Sequence, residues 1–298
     1  MARNRCRSHK REACRRAKKK KKRRLRICKM WLPRKIVFVE YRSTPFLSAV
    51  TWRMSEEIAS LVAEGVRVDI EICAHEGDVT LLPTKRSAFV SPANSLGFMD
   101  GGIDYVYSRV MFCGCERELK QRIRALGKRS KLDRFYLSIG SAIAVPGDAA
   151  RDSFLISAPT MFLPHDVSRT RNAYHAFHAA LMAYACFAEK DGIHTLVCPA
   201  LCCGVGKMSE HESAHQIATA FTDVARCLWR FEHPEWPTSS TSTRTSLRLG
   251  TVVPTLDAYV GVENTEEEQP DTLMQDKSET PVSQSSRIRG GSYGHGLL

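Results

Sequence analysis

A chain of 298 residues with 43% apolar content can bury one sizeable core and still leave tails over, since domains commonly run to about 100–200 residues. Its formal charge of +12 is unevenly spread: residues 1–29 hold sixteen Lys or Arg against Glu12 alone. Taking that +15 from +12 leaves −3 for the rest, so the basic character belongs to an arm and not to the folded part. Eleven cysteines with no apolar leader after the basic start fit a reducing, intracellular compartment better than a disulfide framework. The spacings Cys113-Gly-Cys115 and Cys202-Cys203 are not the C-x2-C pairs of structural zinc, so no metal and no cofactor are expected. The most apolar stretch, Ala173–Ala188, carries His175 and His178 and is shorter than a membrane-spanning helix needs.

In chain order, residues 1–34 read as a disordered basic arm, because the like charges of Lys18–Arg24 repel and cannot pack on themselves. Residues 1–29 suit an import receptor, which implies nuclear or nucleolar residence, or contact with nucleic acid through its phosphates. A solubilising tail, or a domain that starts at Met30, is the alternative. Residues 35–232 then alternate strand-like and helical patterns, the signature of an α/β sheet with helices on its faces. The strand candidates are Lys35–Tyr41, Val68–Cys73, Ala88–Ser91, Phe135–Val145, Phe154–Pro159 and His194–Pro199. Thr44 before Pro45 offers an N-cap with proline at the first helical position, and Ser209 with Glu212 forms a capping box. A helix from about Arg169 should stop at Asp191-Gly192, where glycine can take the left-handed cap conformation. Residues 233–298 read as a largely disordered polar tail, with Ser and Thr over 237–247 and Glu, Gln, Asp, Ser and Pro over 263–289. Thr251–Val262 alone is apolar enough to add a strand or dock.

Ligands of open α/β sheets collect beyond the carboxyl ends of strands. Three segments fall there: His75-Glu76-Gly77-Asp78-Val79-Thr80, Ser91-Pro92-Ala93-Asn94-Ser95 running into Asp100-Gly101-Gly102-Ile103-Asp104, and Leu201-Cys202-Cys203-Gly204-Val205-Gly206-Lys207. The second and third end in glycine turns that lead into helices, so backbone amides can converge on an anion with no Cβ in the way. Two such turns suit a diphosphate, provided they face each other across one sheet edge. A P-loop fails, because Leu201 stands where its first glycine belongs and Met208 where Ser or Thr must follow the lysine. A dinucleotide fingerprint fails as well, with Ser209 in place of its third glycine.

These segments resemble a macro domain, the α/β module that binds ADP-ribose. A Gly-Asp-Ile-Thr motif appears as Gly77-Asp78-Val79-Thr80, an Asn-Ala-Ala-Asn segment as Ser91-Pro92-Ala93-Asn94, and the glycine loop as Asp100-Gly101-Gly102-Ile103-Asp104. Residues 91–104 are similar in particular to the branch found in phages, fungi and other microbes. Ala158-Pro159-Thr160-Met161, Asn172-Ala173-Tyr174 and Gly204-Val205-Gly206 follow in the family's order, and the likeness covers about two-thirds of the chain.

The resemblance implies a three-layer α/β/α fold with a mixed central sheet, a monomer, and ADP-ribose or an ADP-ribosylated substrate as partner. Asp78 would accept from the adenine amine while the Val79 amide fixes the ring. Gly101, Gly102, Ile103, Cys203, Gly204, Val205 and Gly206 would wrap the diphosphate, and Asn94 would hold the distal ribose. Hydrolysis of ADP-ribose 1″-phosphate or of an ADP-ribosyl ester would rest on Asn94 and Asp104. A catalytically silent reader, and a nucleic-acid-associated protein with a degenerate domain, are the alternatives. Turn-forming roles compete with each binding role: Asp78 as a turn cap, Asn94 as an Asx-turn, Asp104 as compensation of a helix dipole. Cys202 and Cys203 replace the usual small or hydroxyl residues, and Gly206-Lys207 supplies no aromatic cover. Phe98 can supply that ring from the opposite loop or simply pack; Lys207 can reach the diphosphate or point to solvent. Cys203 as a nucleophile finds no paired base in any nearby motif.

Overall fold

The computed structural model describes residues 32–129, 135–148 and 152–233. The basic arm over 1–29, the Ser/Thr stretch 237–247, Thr251–Val262 and the polar stretch 263–289 lie outside the described residues. The elements run β1 (Lys35–Glu40), α1 (Pro45–Ala63), β2 (Glu71–Glu76), a short turn of 3-10 helix (Val79–Leu81), β3 (Ser87–Ser91) and α2 (Gly102–Val106). After α2 the helix widens to a π-turn over Tyr107–Met111, and then come α3 (Cys115–Arg129), β4 (Ile143–Pro146), β5 (Ser153–Ser157), α4 (Asn172–Asp191), β6 (Thr195–Pro199) and α5 (Glu210–Glu232).

The six strands form one sheet in the order β2-β1-β6-β3-β5-β4, parallel throughout except for β4, which runs antiparallel to β5 at one edge. Both faces are buried, as helical crossovers between parallel strands require. Ile36, Phe38, Ala88, Val90, Phe154, Ile156 and Leu196 pack to one side with α1, α4 and α5. Their strand neighbours Val37, Val39, Phe89, Leu155 and Val197 pack to the other, against Tyr107, Phe112 and α3. This period-2 division makes the three-layer α/β/α fold with a mixed sheet. Phe38 anchors the first core between the rings of Phe46 and Phe177, at 6.1 and 6.2 Å. The alanines of α4 (Ala173, Ala176, Ala179, Ala180 and Ala183) are all buried, so the stretch that looked apolar in sequence is a closely packed internal helix. No helix among the described residues is long and apolar enough to cross a membrane.

The helix-end signals act as their chemistry requires. Thr44 caps α1 by accepting from Phe46 N at 3.2 Å, with Pro45 opening the helix. Ser209 caps α5 by accepting from Glu212 N at 3.2 Å, but Glu212 turns its carboxylate to Gln216 Nε2 at 2.8 Å, so one arm of the capping box is exchanged for a side-chain bond. Gly192 ends α4 at φ 68°, in the left-handed region. That helix begins at Asn172, not Arg169, because Thr170 N is held in a turn by Val167 O.

Two strand expectations are corrected. Of Phe135–Val145 only Ile143–Val145 pairs; Leu137 N is instead held by Ser95 O at 2.8 Å, and Gly140 at φ 85° turns the chain before the strand starts. The second strand starts at Glu71 and runs to Glu76, three residues beyond its expected span, because β1 sets the register with Lys35 opposite Glu71. Val68 and Ile70 pack partly against the core without joining the ladder.

Candidate functional site

Beyond the carboxyl ends of β1, β3 and β6 lies a cleft of about 960 Å³, lined by residues from all three glycine-bearing segments. Gly101, Gly102 and Ile103 from the loop after β3, and Cys203, Gly204, Val205 and Gly206 from the loop after β6, line this one cleft. The two glycine turns therefore face the same space. Gly101 is the N-cap of α2, so the amides of Gly102, Ile103 and Asp104 have no partner within the helix. The amides of Gly204, Val205 and Gly206 donate to no group among the described residues. A Cβ added at Gly101, Gly102 or Gly204 would meet nothing within 4 Å. At Gly206 it would meet Cys202 O at 2.5 Å and Val167 Cγ2 at 2.7 Å, so this glycine is demanded by the loop's own closure. Val167 N donates to Gly206 O at 2.9 Å, Met208 N to Cys202 O at 3.0 Å, and Ser213 Oγ to Leu201 O at 2.7 Å, which ties the turn down from three sides.

Asp78 follows Gly77, whose N–H is held by Glu40 O at 2.8 Å. It is exposed and caps the 3-10 turn by accepting from Thr80 N at 2.9 Å. That bond, helped by the Thr80 side chain, holds the carboxyl below its ordinary range. A carboxylate with one partner keeps further acceptor capacity toward the cleft it lines. Val79 beside it is buried and forms part of the same wall.

Asn94 lines the cleft, yet its side chain is occupied by its own loop. Its Oδ1 accepts from Leu96 N at 3.0 Å and Phe98 N at 3.4 Å, and its Nδ2 donates to Phe98 O at 3.3 Å. This is the Asx-turn geometry that such a residue adopts at a strand end. Phe98 is 45% exposed and lines the cleft, with Lys120 Nζ 4.0 Å from its ring centroid.

Asp104 sits in the first turn of α2, 9% exposed, and accepts from Ser91 Oγ at 2.6 Å. Burial, opposed by the Ser91 bond and reinforced by Asp100, pushes its carboxyl up to about 7. It therefore exchanges a proton near neutral pH, unlike an ordinary aspartate. At the start of the following π-turn Tyr107 is fully buried, and its hydroxyl has no hydrogen-bond partner among the described residues.

Cys203 is half-buried and lines the cleft, its Sγ 3.4 Å from Leu201 O. Burial first, then Glu210 and Glu40, raise its thiol to about 11 against the pull of Ser213, so it is protonated and a poor nucleophile. Cys202, at φ 66°, is buried and raised to about 12. Lys207 is exposed at φ 53° and does not line the cleft. No cluster among the described residues has three or more His, Cys, Asp or Glu placed to hold a metal ion.

Two lining carboxylates escaped the sequence reading. Glu40 ends β1, accepts from Thr44 Oγ1, and is raised by burial and by Glu210 and Glu76. Glu210 opens α5. Neither belongs to a motif; the only signal is position, Glu40 at a strand end and Glu210 at a helix start.

The macro domain family model matches residues 90–217. An uncharacterized protein of Aeropyrum pernix is 31% identical over 153 residues, which span 51% of this chain and 71% of that protein. Solved structures of the Oceanobacillus iheyensis macrodomain also match, one a mutant with ADPR (16% identity, TM-score 0.39, 50% of this chain and 75% of that one) and one with ADP (15%, 0.38, 48% and 71%). With the family's motifs met in order along a sheet of this topology, and a relative covered over most of its length, the chain belongs to the macro domain family.

Proposed function

We propose that the cleft binds ADP-ribose, free or as an adduct, with the diphosphate between the Gly101–Ile103 and Cys203–Gly206 amides. The observation that carries this reading is the pair of unpartnered amide runs on one cleft. Backbone donors with no Cβ in front of them can approach both phosphorus centres of one nucleotide, and family membership supports the same ligand. Asp78 and Val79 would take the adenine, and the Asn94, Phe98 and Asp104 region the distal ribose. Asp104 titrates near neutral pH, which suits a general base for a water attacking at the distal ribose, and this supports hydrolysis of ADP-ribose 1″-phosphate or an ADP-ribosyl ester. A silent reader is favoured by one observation, the engagement of both polar atoms of Asn94 within its own loop.

Titration calorimetry with ADP-ribose tests the binding: a saturable heat is expected, and none at millimolar ligand would remove the reading. Product release from either substrate, lost in Asp104→Asn with ADP-ribose affinity retained, separates enzyme from reader. Unchanged turnover in that variant would remove Asp104 from the chemistry.

A further inference from the structure

The side chains that line the cleft carry one sign of charge. Among the described residues the lining holds five carboxylates, Glu40, Asp78, Asp100, Asp104 and Glu210, and no Lys, Arg or His. A diphosphate in this cleft would therefore be held by backbone amides alone, with carboxylates on both sides. Glu40 and Glu210 are within electrostatic reach of each other, and Asp100 of Asp104. Neither Lys120, over the Phe98 ring, nor Arg109 offsets this. Lys120 and Arg109 are both bound to Glu116, at 2.6 and 3.0 Å, and neither lines the cleft. Lys207, next to the second amide run, is exposed and outside the lining.

A site with carboxylates around a central anion-binding strip favours a ligand that is anionic in the middle and rich in hydrogen-bond donors at its ends. Ribose hydroxyls and an adenine amine are such donors. A third phosphate is not: placed at the distal ribose, it would meet Asp100 and Asp104 with no cation between. We infer that Asp100 and Asp104 set the substrate class, so that the cleft accepts ADP-ribose whose anomeric carbon bears a hydroxyl or an uncharged ester and rejects the nucleotide bearing a phosphate there. The inference rests on the ADP-ribose reading and, of the two reactions proposed above, selects ester hydrolysis.

The test is calorimetry on the full chain at pH 8 with EDTA present, so that no divalent cation masks the carboxylates. ADP-ribose is compared with ADP-ribose 1″-phosphate. The phosphate should bind about tenfold or more weakly, and Asp100→Asn, a change at an exposed side chain, should narrow that gap to about threefold or less. Equal or tighter binding of the phosphate, or a gap untouched by Asp100→Asn, overturns the inference and leaves the ADP-ribose reading standing. No heat from either ligand overturns both.

Discussion

Asp104→Asn should stabilise the protein at alkaline pH and leave it nearly unchanged in acid. The carboxyl is 9% exposed, accepts one bond from Ser91 Oγ, and has no cation beside it among the described residues, so the folded state raises it from 3.8 to about 7. Below pH 3.8 both folded and unfolded chains hold the proton, and the group costs nothing. Between 3.8 and about 7 only the folded chain holds it, so stability falls as pH rises, by about 1.36 kcal/mol per pH unit. Above about 7 the loss levels off near 4 kcal/mol, the product of that slope and a span of about 3.2 units. Asparagine keeps an oxygen for Ser91 and cannot ionise. The variant should therefore lack this slope and exceed the parent by up to about 4 kcal/mol at pH 8, on the order of 10 °C in Tm for a domain of this size. Thermal or urea unfolding of both proteins at pH 4, 6 and 8 reads the difference directly. A variant less stable than the parent at pH 8, or a Tm gap that is the same at pH 4 and pH 8, would refute the burial argument.

The other expectations are simpler. Gly206→Ala should destabilise by about 1–3 kcal/mol and abolish ADP-ribose binding, because its Cβ would sit 2.5 Å from Cys202 O; Gly204→Ala, with nothing within 4 Å, should leave Tm unchanged. Calorimetry and thermal melts on the pair show whether backbone closure or mere loop sequence matters. Asp78→Ala should weaken ADP-ribose about tenfold without lowering Tm, since the carboxylate is exposed and caps only a short turn; undiminished affinity would assign it that turn alone. Removal of residues 1–29, with sixteen Lys or Arg, should abolish salt-dependent retention on a nucleic-acid column and leave ADP-ribose affinity intact.

What was legible in the sequence is what the backbone constrains. The Thr44 cap, the left-handed Gly192 and the glycines of both amide runs each leave a local mark, because only certain residues satisfy a cap, a turn or a close approach. The misread strand at 135–142 failed for the opposite reason. Its aromatic and branched residues have strand propensity, yet Leu137 is drawn to the Ser95 loop by a bond whose partner is distant in sequence. Glu40 and Glu210 were invisible on the same ground: each is an ordinary glutamate until β1 and α5 bring them to one wall.

The division has a consequence for how such a cleft can change. The groups proposed to hold the diphosphate are main-chain amides, which substitution removes only by breaking the turns, and Gly206 shows how little room those turns leave. Its charge, by contrast, resides in side chains at element ends, where Asp100 and Asp78 are exposed. Selectivity among adducts can then shift by exchange of single carboxylates while the diphosphate grip persists. Asp104 is the exception among them. Buried against Ser91, its expected cost to the fold above pH 7 is about 4 kcal/mol, which the proposed role in binding or chemistry would have to offset.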